Sequence, residues 1–455
     1  MKRIVAFILV AIMALALVAC APKTDAPAAD APAQDKPADA PAADAPAADE
    51  GGLPFEGRKL TISYSSSENN DAYQAQFDKF SELTGAEIEV EILSADSNEA
   101  NNTIYLRAAT GAMTDITKMT IGSMIENIDP ENNIEDLAGY DFVNNITEGF
   151  IESATNHDGR LWATPANTAN VAGIFFNKKV VEELGLPEPK TWDEFLANCK
   201  WIRENTDKDP VSNPYDGTAG KQIIFLSAIY YIRQEDPEFC EKYARQEASF
   251  ATNAAAMRAL QHYYDLAELG YQNAEPLATS LEDSARALAE GTAVYCICRT
   301  NIMSNVENVV PEARNDFGFI PVPDIDPNNR GVATWMPTGW ILSKSCQDKE
   351  LALALLEWLT TAEAAEAFCE GITPTGGFML KDAKFPEDVA PAVIEAQEWA
   401  SKSSSPVLDY LIPFRGVNLP DLLVLCGTGD EKPEVVAQLI DEDFALTARQ
   451  NGYFQ

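Results

Sequence analysis

Apolar and polar residues alternate over Leu60, Ile62 and Tyr64, the period of a strand with one buried face. From about Asp71 the spacing changes, so that Tyr73, Phe77 and Phe80 fall on one face of a helix and Gly85 is placed to stop it. Ile88, Val90 and Ile92 then alternate again. Strand, helix, strand predicts a βαβ unit, and with it a largely parallel sheet carrying helices on its faces. Downstream, Thr191 and Glu194 form a capping box ahead of Phe195, Leu196, Cys199 and Ile202. Met257, Leu260 and Tyr264 make another stripe, closed by Gly270; Asp348 opens a helix bearing Leu351, Leu355 and Leu359; Thr360 with Glu363 caps the next, which ends before Gly371. Each stripe is expected to face a core.

The N-terminus departs from this pattern. Lys2 and Arg3 precede an apolar run from Ile4 to Val18, too short for a membrane span and of the kind that directs export. The run ends in Leu17-Val18-Ala19-Cys20, which resembles the bacterial lipobox and implies that Cys20 is lipidated and becomes the mature N-terminus. The alternative is an ordinary secretory signal with an incidental cysteine. From Ala21 to Gly52 the chain is almost entirely Ala, Pro and Asp, so it cannot bury a core and is expected to be a solvated tether. At roughly 3.1 Å per residue it spans on the order of 100 Å.

The remaining chain, about 400 residues, is too large for one core and predicts two lobes. A net charge of −38 opposes nucleic acid or anionic lipid as a partner, because the phosphate contribution is repulsive. Cys20 aside, seven cysteines remain (Cys199, Cys240, Cys296, Cys298, Cys346, Cys369 and Cys426), an odd number without metal-type spacing. Buried free thiols are expected, and Cys296 and Cys298 are expected to share one strand face.

No enzymatic constellation emerges. His157 and His262 are far apart and outside any H-E-x-x-H pattern, and there is no G-x-S-x-G, G-x-x-x-x-G-K-[ST] or G-x-G-x-x-G. Asp324, Asp326 and Asn328 start like a calcium loop, but Asn329 stands where the turn glycine belongs and Trp335 where the bidentate Glu belongs. Hence no catalytic group, metal or cofactor is expected.

The strongest signal runs from Asp158 to Lys200. It reads Asp158-Gly159-Arg160-Leu161-Trp162-Ala163-Thr164-Pro165, then Gly173-Ile174-Phe175-Phe176-Asn177-Lys178, Leu184-Gly185-Leu186-Pro187 and Pro189-Lys190-Thr191-Trp192-Asp193-Glu194-Phe195. This order resembles the extracellular solute-binding proteins of ABC importers, of the maltose-binding, carbohydrate type. Leu288 to Val294, Phe317 to Pro323, Gly339 to Lys344 and Trp358 to Ala364 follow in that family's order. The resemblance implies an α/β, periplasmic-binding-protein-like fold of two lobes, with a ligand cleft between them that closes by hinge motion. Crossings are expected near Thr164–Asn167, Ile320–Pro323 and Gly371–Gly376. One lobe would comprise residues 53–165 and 323–373, the other 166–322 and 374–455. It also implies a monomer that binds a mono- or oligosaccharide outside the cytoplasm, held to the membrane by the lipid on Cys20, and passes it to the permease subunits of an ABC importer.

A sugar offers planar hydroxyls and an apolar C–H face, so its receptor needs an aromatic platform and convergent polar groups. Loops that follow strands or flank crossings supply Ser65, Ser66, Glu68, Asn167, Asn170, Arg299 and Asn301, with Trp335 as the aromatic. For each, an exposed loop residue or turn former is the alternative, whereas Trp340, at the start of a strand, reads as core. One departure stands out. Where sugar-binding members carry Gly-Ser-Trp, this chain has Arg299-Thr300-Asn301. Arg299 suits bidentate pairing with a carboxylate or phosphate of an acidic solute, or with one of the chain's own acids. Three other readings stay open: a non-sugar solute such as a polyamine, or iron held by Tyr230-Tyr231 or Tyr263-Tyr264; a sensory receptor; and a surface-anchored glycan-degrading enzyme.

Overall fold

The computed structural model describes residues 52–66, 70–155, 159–217 and 220–450. In it β1 (Lys59–Ser65) buries Leu60, Ile62 and Tyr64 against Tyr73, Phe77 and Phe80 of the helix Asn70–Thr84. Gly85 ends that helix in the left-handed region, at φ 76°, where a side chain would also collide with Glu56. β2 (Glu87–Leu93) runs parallel to β1 on one side, and β3 (Ile116–Met119) on the other. β3 is buried throughout, as a strand covered on both faces should be. β2 lies at the sheet edge, so Ile88 and Val90 are half-buried and Ile92 is exposed.

β4 (Thr164–Pro165) closes the far edge of this sheet, and two residues later the chain begins β5 (Thr168–Asn177), the spine of a second sheet. Six further strands gather there. β6 (Asp209–Val211) is parallel to β7 (Ala293–Arg299), and β7 is antiparallel to β5. β8 (Phe317–Ile320) and β9 (Val332–Trp335) share the other edge of β5. β10 (Gly339–Leu342) then sits in the first sheet, antiparallel between β3 and β4. β11 (Gly377–Phe378) pairs with the first two residues of β5, and β12 (Ser404–Pro406) with β9.

Two expected crossings are corrected by this topology. The chain does not leave the second lobe at Ile320–Pro323, because β8 and β9 both pair with β5 and residues 323–331 are pinned between them. Arg258 grips both carboxylate oxygens of Asp324 at 2.7–3.1 Å, and Trp192 N donates to Asp324 O at 2.8 Å. The return falls at Met336–Thr338. The later crossing also lies further on than Gly371–Gly376. Thr147 N donates to Met379 O and Lys381 N to Asn145 O, and Leu380 packs in the first core, while Phe385 is the next residue packed in the second lobe.

In the first lobe the core centres on Trp340, whose ring packs edge-on against Tyr64, Tyr73 and Phe77 at 5.2–6.1 Å. The second lobe has a core on each face of β5, with Ala172 and Ile174 on one and Val171 and Phe175 on the other. Thr191 and Glu194 form the expected capping box. The cap after Leu359 is Thr361, one residue later than expected, because Thr360 is still held by the preceding turn through Glu357 O. In the helix Ala254–Glu268, Tyr263 rather than Tyr264 faces the core. The seven described cysteines are unpaired; six are buried, and Cys296 and Cys298 lie in the same core cluster. Among the described residues no helix is long and apolar enough to cross a membrane.

Candidate functional site

The two lobes face each other across a cavity of about 340 Å³. The first lobe lines it with Gly122 and Ser123, which follow β3, with Glu152 to Thr155, and with Trp162. Arg233, Cys240 and the segment Tyr410–Pro413 line the other wall. Gly122 takes φ 72°, and a Cβ there would lie 2.7 Å from Asp409 O and 2.8 Å from the Tyr410 ring. Only glycine lets the lobes approach this closely. Arg233 donates to Ser405 Oγ at 2.9 Å in its own lobe and reaches Glu152 of the other at 3.8 Å. The Trp162 ring is covered by the Arg160 guanidinium at 5.1 Å, and its buried indole N–H has no protein acceptor.

A second, smaller cavity of about 160 Å³ lies beside the first crossing. Asn167, Thr168, Asn170 and Asn301 meet there with the segment Ile372–Thr375. Asn170 Oδ1 accepts from Thr300 Oγ1 at 3.1 Å, and Thr300 Oγ1 accepts from Val171 N at 3.2 Å. Asn167 Oδ1 and Asn301 Oδ1 are buried without a donor among the described residues. A buried acceptor left unpaired costs about 1–3 kcal/mol, a cost that a hydroxyl donor reaching either oxygen would offset.

The sheet joins this cavity to Arg299 and Trp335. Asn170 is the register partner of Trp335, and Ala172 that of Arg299. Register partners share a face, so Asn170, Arg299 and Trp335 stand together on the side that carries Ala172 and Ile174. The Arg299 guanidinium lies 5.3 Å from the centre of the Trp335 ring. Desolvation presses its pKa below the usual arginine value. Tyr410, whose phenol burial pushes up, donates to Met336 O in the second crossing at 3.0 Å.

Of the residues singled out in the sequence, Asn167, Asn170 and Asn301 thus line one cavity, and Asn170 shares a sheet face with Arg299 and Trp335, which line neither of the two cavities. Ser65 and Ser66 lie elsewhere. They end β1 and are tied locally, Ser65 Oγ donating to Ser94 O at 2.6 Å and Ser66 N to Leu93 O at 3.1 Å. Glu68 and Cys20 lie outside the described residues. Trp340 is core. Of the tyrosine pairs, Tyr231 donates to Val322 O and Tyr263 to Lys221 O, while Tyr230 bonds Ser403 Oγ. Sequence reasoning missed Trp162, Arg233 and Tyr410. Trp162 sits inside the Asp158–Pro165 motif and was detectable there, but nothing local marks the other two.

The chain matches the model of the family described as bacterial extracellular solute-binding protein over residues 64–366. It is 30% identical over 173 residues to the multiple sugar-binding protein of Streptococcus mutans, an alignment covering 36% of this chain and 37% of that protein. It is also 21% identical over 349 residues to YcjN of Escherichia coli, named as an ABC transporter periplasmic-binding protein, with 76% of each chain covered. Among solved structures, the ligand-free RafE of Streptococcus pneumoniae superposes with a TM-score of 0.70 at 17% identity, covering 87% of this chain and 98% of that one. A sugar transporter protein of Bacillus licheniformis, in complex with stachyose, gives 0.63 at 14% identity, over 85% and 99%. These two likenesses concern the fold.

Proposed function

Since the chain belongs to the family of bacterial extracellular solute-binding proteins, we propose that it is the receptor of an ABC importer and takes a mono- or oligosaccharide into its interlobe cleft. The observation that carries this reading is the cavity beside the first crossing, where Asn167 and Asn301 present amide oxygens with no donor among the described residues, and where Asn170 pairs in register with an aromatic residue, Trp335. Amide acceptors suit sugar hydroxyls, and the indole face suits the C–H side of a pyranose. The names of the relatives point the same way: one is a multiple sugar-binding protein, and one similar structure holds raffinose.

Binding is reversible and without chemistry. The lobes close about the three crossings, and the importer's membrane subunits read the closed form. The receptor is a monomer, tethered by Ala21–Gly52 and anchored through acyl chains on Cys20, each buried CH₂ contributing about 0.8 kcal/mol. Cys20→Ala is accordingly expected to move the protein from the membrane fraction to the medium. Unchanged fractionation would rule the anchor out.

The ligand reading is tested by thermal melting against neutral sugars, uronic acids, polyamines and ferric iron. A saccharide at 100 times its Kd should add about 2.7 kcal/mol of stability. Trp335→Ala should weaken that saccharide about 10- to 100-fold by removing the stacking face. A response confined to polyamine or iron would exclude the carbohydrate reading.

A further inference from the structure

Resting on the carbohydrate reading just given, we propose that the preferred solute is an acidic saccharide, whose carboxylate is held by Arg299 while its ring lies against Trp335. In a chain with 71 acidic and 33 basic residues, most described arginines find an acid. Arg58 is held by Asp348 and Glu350, Arg107 by Glu91, Arg258 by Asp324 and Glu235, and Arg415 by Asp409. Arg299 has no such partner. Among the described residues its guanidinium makes neither an ion pair nor a hydrogen bond, and it lies 5.3 Å from the centre of the Trp335 ring.

Five guanidinium N–H donors are left unmatched in a partly desolvated setting. The side chain is half-buried, and a carboxylate with good geometry would offset what partial desolvation of the charge costs. The position is also the right one. Arg299 ends β7 on the sheet face that holds Asn170, and Asn170 lines the cavity in which Asn167 and Asn301 present their unpartnered oxygens. A planar carboxylate accepts two parallel N–H bonds from one guanidinium, while the neighbouring hydroxyls of the same sugar donate to the two amides. A uronic acid carries both features on one ring. In the Gly-Ser-Trp pattern Arg299 thus stands at the glycine and Asn301 at the tryptophan, so a charge and an amide replace the stacking ring while Trp335, from another strand of the sheet, supplies the face.

The test is calorimetric titration of the full-length protein with digalacturonic acid, its neutral counterpart galactobiose, and galactose 6-phosphate. Wild-type protein is expected to bind the uronide about 100-fold more tightly than the neutral disaccharide, as two charge-assisted hydrogen bonds suggest. In Arg299→Gln that ratio should fall to within about three-fold of one. Arg299→Lys, which keeps the charge but not the fork, should fall between. Should the variants fail to fold, wild-type protein alone decides, because uronide affinity must drop with rising salt and with protonation of the ligand carboxylate below about pH 4. Equal affinity for uronide and neutral sugar would overturn the inference and leave the carbohydrate reading standing. A preference for the phosphate over the uronide would overturn it too, replacing carboxylate by phosphate. If no saccharide of any kind binds, both readings fall.

Discussion

Arg258→Met should lower stability by about 3–5 kcal/mol, because it leaves Asp324 buried without its counter-charge. The guanidinium contacts both Asp324 oxygens, and the Asp324 side chain is only 7% exposed. Its second partner, Glu235, is largely in solvent and contributes little. The double variant Arg258→Met with Asp324→Leu should recover most of the loss, since replacing a whole buried pair by apolar groups is often near neutral. Urea denaturation of the three proteins separates the cases. A single variant within about 1 kcal/mol of wild type would show that Asp324 relaxes to water, and that this pair does not pin the excursion between β8 and β9.

Acid should destabilise the protein through His262. This imidazole is buried, stacked on Trp192 at 3.9 Å, and its pKa is lowered to about 3, first by burial and then by the charge of Arg258. In the unfolded chain the value is about 6.5. Between these two pH values the unfolded state holds the extra proton, so stability falls as pH falls, by up to about 1.4 kcal/mol per unit. The sum is of the order of 4 kcal/mol. Carboxylates held down by arginines, such as Asp348 by Arg58 and Glu91 by Arg107, add loss in the same direction. His262→Phe keeps the stacked ring and removes only the titration. Its stability should therefore decline less than that of wild type between pH 6.5 and 3, and parallel curves would refute the assignment.

Local pattern carried far in this chain, and its failures share a cause. Leu60, Ile62, Tyr64, Tyr73, Phe77 and Phe80 face the core where period alone placed them, because propensity, stop signal and burial agree there. The alternation over Ile88, Val90 and Ile92 identified β2 but not its half-exposure, which depends on which strand ends at the edge. The second crossing was misplaced by about fifteen residues. Nothing in Ile320–Pro323 announces that the chain will add β9 to β5 before returning; what decides it is a contact with Arg258, some 66 residues earlier. The site divides in the same way. Strand ends and crossings are readable, and of the residues named there Asn167, Asn170 and Asn301 line one cavity, while Asn170 shares a sheet face with Arg299 and Trp335. Ser65 and Ser66 were named on the same rule, and the structure ties Ser65 Oγ and Ser66 N to the end of β2. Arg233 and Tyr410 reach the cleft only through the packing of whole helices and loops, which leaves no local trace.

The placement of β10 bears on how such a chain is made. The first sheet has a gap between β3 and β4 that is filled by residues Gly339–Leu342. Every ribosome-bound or partly translocated form that has not yet delivered those residues lacks an interior strand, and with it Trp340, the centre of the core. Loop closure over more than 170 residues also slows assembly. A protein destined to pass through a narrow export channel as an extended thread gains from this, because it stays threadable until most of its length has emerged. In a chain exported unfolded, such discontinuous lobes would act as a timer that delays folding to the far side of the membrane.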